Sequence, residues 1–301
     1  MAVKTSKLRR KTLFDYVDII ILLILGFITF YPFWNILMIS FNDPTDTLLG
    51  GITLYVRKFT LDNYQYFFRN DSFINAFWVS VSRTVIGSLT SVIFTAAFAY
   101  GMSKKWLLGQ KFFLILMIIP MYISGGMIPT FLLIRDLGLY QNFLVYIIPC
   151  LLSTYNVIIM MTSFRAIPPE LEESVRIDGG NDLVIFFRII IPVSMPMMAT
   201  IILFNAVGQW NSWMDTMLYG DRKIMTLQMK LVELLKDADQ VRKLMQSGNA
   251  AAGQVLLKNY KPNVESLKAT AMAITAIPIV LVYPFLQKYF VKGIMIGSLK
   301  G

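Results

Sequence analysis

Apolar residues fall into six long runs, at about residues 17–40, 74–102, 112–134, 143–163, 195–218 and 269–290. Each approaches or exceeds the ~20 residues an α-helix needs to cross a hydrocarbon layer of ~30 Å. Only helices and closed barrels satisfy their backbone groups in lipid. The pattern therefore predicts an all-α integral membrane protein with six transmembrane helices. The third run contains Gly125, Gly126 and Pro129, which predict a break in its outer half. The first run follows Lys4, Lys7, Arg9, Arg10 and Lys11, as in a signal peptide, but it is too long for an h-region. It ends in Phe41-Asn42-Asp43-Pro44 rather than at a small-residue cleavage site, so it reads as an uncleaved first span.

Basic residues in short loops set the orientation. With six spans, the N-terminal cluster, the loop with Lys104, Lys105 and Lys111, and the C-terminal Lys288, Lys292 and Lys300 share one side. That side is read as cytoplasmic, with both termini on it. Residues 1–16 form a basic cytoplasmic tail and residues 17–301 a single transmembrane domain. Residues 42–72 are then external, mixing Arg57, Lys58 and Arg69 with Asp43, Asp46, Asp62 and Asp71. Two polar stretches remain, a cytoplasmic one at about 164–191 and an external one at about 219–268. In the second, Leu227, Leu231, Leu234 and Leu235 have the spacing of an amphipathic helix.

Composition narrows the function. The 301 residues are 56% hydrophobic and only 15% charged, against about a quarter charged in soluble domains. A net charge of +10 then fits anionic lipid and cytoplasmic loops rather than nucleic acid. There is no histidine and one cysteine, Cys150. His-based metal sites, His acid–base catalysis and an internal disulfide are excluded. No Gly-x-x-x-x-Gly-Lys-Ser/Thr phosphate loop occurs, so any ATP is held elsewhere, and no catalytic or metal site is expected. Ion-coupled secondary transport would call for ionisable residues deep in the spans and an inverted repeat. The acids nearest a span interior are Asp18 and Asp215, both read as interfacial.

The cytoplasmic stretch is the most specific segment. Pro168 and Pro169 suit a helix start, and Glu170, Glu172 and Glu173 fill a first turn that favours acids. Leu171 and Val175 share a face, and Gly179-Gly180 stops the helix. Asn181 or Asp182 can cap a second short helix carrying Val184, Phe186 and Phe187, which Ile191-Pro192-Val193-Ser194-Met195-Pro196 ends. The object predicted is a helix–turn–helix with an exposed apolar ridge. Its order, Glu-x-x-x-x-Asp-Gly followed by Ile-Pro-x-Ser-x-Pro, resembles the EAA coupling motif of permease subunits of ATP-binding-cassette importers.

The matching positions are Glu173, Ser174, Val175, Asp178, Gly179 and Pro192, with Ser174 and Val175 standing where the family has two alanines. The likeness runs over essentially the whole chain, including Trp210-Asn211, the Gly125-Gly126 span and Tyr283-Pro284-Phe285-Leu286-Gln287-Lys288-Tyr289-Phe290. It is similar to the carbohydrate-uptake branch, MalG-like and closer still LplC-type. The resemblance implies half of a translocation pore in a bacterial cell membrane, with Glu170, Glu172, Glu173, Ser174, Val175, Asp178, Gly179, Gly180 and Pro192 contacting a separate ATPase. Implied partners are a second homologous permease, two ATPase subunits carrying ATP and magnesium, an extracellular solute-binding protein and an oligosaccharide, acidic polysaccharide fragments among the candidates. Another solute delivered by a binding protein stays open.

Polar faces inside the spans mark a candidate substrate path. Arg83 lies on one stripe with Ser80, Gly87 and Thr90. Asn205, Gly208, Gln209 and Ser212 form another, beside Trp210, Asn211 and Trp213. Arg83 and Gln209 each lie about nine residues, ~14 Å, below the outer end of their runs, hence at one level. Amides and aromatic faces suit sugars, and an arginine suits a carboxylate bidentately. For Arg83, a structural role bonding helix-end carbonyls or an acid on a neighbouring subunit is equally open. For the amides and indoles, interhelical bonding and an interfacial aromatic belt are the structural alternatives.

Overall fold

The computed structural model describes residues 12–246 and 263–298. The N-terminal basic cluster and Lys300 lie outside the described residues, as do the side chains of Tyr283 to Phe290 and of Lys292. Regular structure among the described residues is helical apart from an isolated antiparallel bridge between Asn42 and Phe59. The helices are α1 (Leu13–Ser40), α2 (Pro44–Thr47), α3 (Asp62–Arg69), α4 (Asp71–Ser103), α5 (Gln110–Tyr122), α6 (Met127–Asp136) and α7 (Thr154–Arg165). They continue with α8 (Glu170–Ile177), α9 (Asp182–Ile185), α10 (Ile191–Val193), α11 (Met195–Asn211), α12 (Met214–Tyr219), α13 (Leu227–Gln246) and α14 (Val264–Ser298).

The six apolar runs do not become six straight rods. Three helical stretches, α1, α4 and the first part of α14, are unbroken and apolar enough to span a membrane. The run at 112–134 divides into α5 and α6 around Gly126, whose φ of +86° suits glycine. The run at 143–163 does not start as an α-helix: 3₁₀ turns occupy Phe143–Tyr146 and Ile148–Cys150 before α7 sets off at 48°. Pro149 supplies no N–H there, and the Asn142 side chain accepts from the Leu144 N–H at 3.0 Å. The run at 195–218 also breaks, α11 ending at Asn211 and α12 restarting at Met214. Hydropathy averaged over a span registers none of these interruptions because each break is only a few residues long and apolar residues flank it.

The chain divides into two compact units, residues 1–67 with 237–274, and residues 68–236 with 275–301. In the first unit, α1 is capped by a reciprocal Thr12–Asp15 box and leaves its apolar surface open all round. A helix apolar on every face needs lipid or another chain to cover it. After α1 the segment 42–60 is knotted by Asn42, whose side chain donates to Asp46 at 3.0 Å and accepts from the N–H groups of Arg57 and Lys58 at 3.0 Å. Arg57 donates to the same Asp46 at 2.9 Å. The bonds from Asn42 and Arg57 hold the Asp46 carboxyl below its usual pKa. Asp43, the cap of α2, is lowered too, through the hydroxyl of Thr45 and the N–H of Asp46.

In the second unit, α4 is the central element, packed against α7 and α11. Its buried face is rich in small residues, including Ser80, Gly87, Ser88, Ser91, Ala96 and Ala99, which let helix backbones approach closely. At Gly87 a Cβ would stand 2.9 Å from Nε2 of Gln209, so a larger residue there would push the Gln209 side chain out of its present position. One end of the unit is a continuous apolar core joining Val92, Ala96 and Tyr100 of α4 to Met160 and Phe164 of α7 and Ile201 of α11. The expected amphipathic helix is α13, longer than the leucine spacing alone covers, with Leu227 and Leu234 buried.

Candidate translocation cavity and coupling segment

A cavity of about 450 Å³ opens between α4, the 149–153 turn and α11. Its walls carry Arg83, Ser91, Ser153, Asn205, Gln209, Ser212 and Asp215, together with Cys150 and Phe204. Three expected path residues therefore meet in one place: Arg83, Asn205 and Gln209. Ser80, Thr90, Trp210, Asn211 and Trp213 are not among its lining residues. The Ser80 hydroxyl accepts from the Leu227 N–H at 2.8 Å, at the start of α13. Thr90 donates back to the Ile86 carbonyl at 2.6 Å. The Trp210 indole N–H donates to the Thr275 carbonyl at 3.0 Å, and Asn211 is exposed, accepting from Gln228 at 3.4 Å. Trp213 is half-buried at the break between α11 and α12.

Arg83 is 1% exposed and its guanidinium is fully engaged. A guanidinium carries five N–H donors. Nε and Nη2 donate to Oε1 of Gln209 at 3.0 and 2.9 Å. Nη1 donates to the Ser212 carbonyl at 3.4 Å and to Oδ1 of Asp215 at 3.2 Å, and Nη2 also reaches Oδ2 of Asp215 at 2.5 Å. The face of the guanidinium lies 4.2 Å from the Tyr146 ring. Gln209 uses its amide to donate to the Tyr146 carbonyl at 2.9 Å. The break in α11 frees the Ser212 carbonyl that Arg83 takes up. Asp215, read from sequence as interfacial, is the acid that neutralises Arg83, and it lies within the same chain.

A second polar ladder crosses three elements lower in the unit. Asn156 of α7 donates to Asn205 of α11 at 3.0 Å, Asn205 donates to Ser91 of α4 at 3.1 Å, and Ser91 donates to the Leu151 carbonyl at 3.2 Å. Asp215, Tyr146 and Asn156 were not legible as site residues. One signal existed for Asp215: a buried arginine needs a counter-charge, and it is one of two acids near a span interior.

The segment after α7 folds as its residues direct. Helix α8 starts at Glu170 behind Pro169 and carries its acids in the first turn. It ends in a Schellman arrangement: the N–H of Gly179 donates to Arg176 at 3.0 Å and that of Gly180 to Val175 at 2.8 Å. Gly179 has a φ of +83° and open space beyond it, whereas a Cβ on Gly180 would lie 2.5 Å from Cγ1 of Val175. Of the two candidate caps, Asn181 accepts from the Val184 N–H at 3.0 Å and begins α9. A π-helical stretch, Phe186–Ile190, and α10 with Pro192 follow, and the chain bends 80° into α11.

Here the expected ridge needs correcting. Val175 turns toward the apolar core and only Leu171 of that pair stays exposed. The exposed apolar side chains are Leu171, Ile177 at 86%, Leu183 and Phe187. Ile177 escaped notice because it precedes the turn and breaks the four-residue spacing. Of the expected contact residues, Glu170, Glu173, Ser174, Asp178, Gly179 and Pro192 are exposed. Glu172 is not free: it pairs with Lys104 at the end of α4. Arg176 pairs with Asp182 at 2.5 Å, clamping the two arms of the turn. Ile185, Phe186 and Ile190 are buried in the core shared by α4, α7 and α11.

Residues 90–296 match the family model described as "Binding-protein-dependent transport system inner membrane component". The chain is 36% identical over 293 residues to the Bacillus subtilis (strain 168) polygalacturonan/rhamnogalacturonan transport system permease protein YtcP, covering 97% of this chain and 100% of that one. It is 37% identical over 291 residues to protein LplC of the same organism, covering 96% and 95%. Its fold matches a chain of a bacterial transporter described as importing the acidic polysaccharide alginate, with a TM-score of 0.82, 28% identity, and coverage of 95% and 100%. With this agreement over nearly its whole length, the chain belongs to the binding-protein-dependent inner membrane component family, as a multi-pass permease subunit of an ATP-binding-cassette importer and not an enzyme.

Proposed function

We propose that this permease forms half of the path by which an oligosaccharide, a fragment of an acidic polysaccharide, enters the cell. A second homologous permease completes the pore, two ATPase subunits holding ATP and magnesium dock on α8 and its flanking turn, and an extracellular binding protein delivers the sugar. The carrying observation is the polar cavity between α4, the 149–153 turn and α11, whose helices share one apolar core with the segment that bears Glu173, Asp178 and Gly179. A movement imposed on that segment reaches the cavity walls through packed side chains. Six spans with both termini cytoplasmic follow if α5 with α6, the 143–165 pair and the 182–211 pair each cross once. ATP binding draws the coupling segments of the two permeases together and switches the cavity outward, and hydrolysis resets it.

The substrate class is supported by the two relatives named for acidic polysaccharides. Arg83 is not proposed as the group that recognises the acid. Its donors are all taken and Asp215 cancels its charge, so its role is to hold the outer wall in shape. Sugar contact falls instead to the amide and hydroxyl groups of Asn205, Ser153 and their neighbours on the cavity wall. The test is uptake into vesicles containing the whole complex, with tetragalacturonate and a neutral arabinotetraose as probes. ATP-dependent, binding-protein-dependent uptake of the tetragalacturonate is expected, and Arg83→Gln should lower uptake of every transported sugar alike. Uptake driven by an ion gradient without ATP would overturn the reading.

A further inference from the structure

The coupling turn is fastened to the rest of the permease in two unlike ways. Its second arm is sunk into the core through Ile185, Phe186 and Ile190. Its first arm, α8, has no fully buried residue. Besides the partly buried Val175, the ion pair between Glu172 and Lys104 ties α8 to the end of a spanning helix. Lys104 follows the last residue of α4 and is itself 8% exposed. Its ammonium also lies 4.1 Å from the centroid of the Tyr100 ring, one turn back on α4. An ammonium so placed has little water to fall back on, so Glu172 is its required counter-charge.

Helix α4 then runs outward for about 20 residues, ~30 Å, to Arg83. There the guanidinium is fixed to Gln209, Ser212 and Asp215 at the cavity wall. A helix pinned at one end to the coupling arm and at the other to the cavity behaves as a push-rod. We propose that Lys104 and Glu172 are positioning residues for transport: their ion pair carries the displacement of α8 into α4, and through it to the cavity. Neither residue touches substrate or nucleotide. This rests on the proposed transport cycle, in which ATPases move α8.

The chain's single cysteine gives a readout independent of substrate, since Cys150 is exposed and lines the cavity. In vesicles holding the complete complex, its rate of maleimide labelling is measured on this subunit by mass, with and without ATP plus vanadate. The wild type should change rate by roughly fivefold or more, the lower range of ordinary coupling between sites. Lys104→Gln, which leaves every residue of α8 unchanged, should keep the ATPases bound yet lose most of that response; Glu172→Gln should lose the response likewise, and the double variant should be no worse than either. The exchange Lys104→Glu with Glu172→Lys should restore it, which a merely structural contact at α8 does not require. If the single variants fail to assemble, restored assembly and response in the exchange still support the pair. Single variants that respond normally, or an exchange that assembles but does not respond, would overturn the push-rod while leaving the transport cycle standing. A wild type indifferent to ATP would overturn both.

Discussion

Two buried cations sit on the same helix and are held in opposite styles. Arg83 is surrounded by Gln209, Ser212, Asp215 and the Tyr146 ring, with all its donors used. Lys104 has one carboxylate, Glu172, and one ring, Tyr100. A planar fork met on every side fixes orientation as well as charge. A point charge on a flexible stem fixes only a distance. The outer cluster is therefore suited to keeping three segments in register, and the inner pair to pulling without dictating angle.

The largest expected effect comes from breaking the outer cluster. Asp215→Ala leaves a guanidinium that is 1% exposed without its counter-charge, a change worth roughly 3–5 kcal/mol when a buried pair loses one member. Thermal unfolding of the purified complex should fall sharply, and Arg83→Lys should not be tolerated well either, because an ammonium cannot meet the same acceptors. Glu172→Gln should cost less, roughly 1.5–3 kcal/mol for a hydrogen bond to a charge, since glutamine keeps an oxygen that can accept from Lys104, and the Lys104 side chain is 9% exposed against 1% for Arg83. Equal losses at the two sites would erase the distinction between them.

Next in size are the two adjacent glycines, which separate shape from contact. Gly180→Ala puts a carbon 2.9 Å from the Val175 carbonyl oxygen, overpacking that costs about 1–3 kcal/mol. Gly179→Asp points into open space and meets only the left-handed backbone, a penalty of about 1–2 kcal/mol. Gly179→Asp should insert and fold yet fail to bind ATPase, measured by co-purification, whereas Gly180→Ala should loosen the turn itself. ATPase retention by Gly179→Asp would count against contact at that position.

These features differ in how far they can be read from sequence. The coupling turn was legible because its signals are local: Pro169, the acids of the first turn, Gly179 and Asn181 each act within a few residues. What lay beyond reach there was Val175 turning inward and Glu172 meeting Lys104, both decided by packing. At the cavity, residue types and depth brought Arg83 and Gln209 together, but not Asp215 or Tyr146. Those arrive through the break at Ser212 and the 3₁₀ turn at Phe143–Tyr146, irregularities that an apolar run conceals. The spans were legible as apolar content and the breaks only where Gly126 announced one.

The smallest expected effect belongs to the knot around Asn42. Asp43 and Asp46 both titrate below their ordinary value in the folded segment. Their contribution is thus fully present above the unfolded carboxyl pKa of about 4 and is lost as pH falls through the lower folded value. Amide exchange in residues 42–60 should stay unchanged from pH 7 to 5 after correction for intrinsic rates, and should accelerate only below about pH 4. Asn42→Ala should weaken that dependence at Asp46, where the Arg57 bond remains.

Everything proposed for transport depends on α8 facing the ATPases on the cytoplasmic side. In a Cys150→Ala background, Ile177→Cys places a thiol at the most exposed apolar position of α8. With the complex in intact cells, this thiol should resist a membrane-impermeant maleimide, and after lysis it should cross-link to the ATPase subunit with a yield that changes on adding ATP. Labelling on intact cells, or a cross-link to the external binding protein instead, would contradict both the orientation and the coupling role.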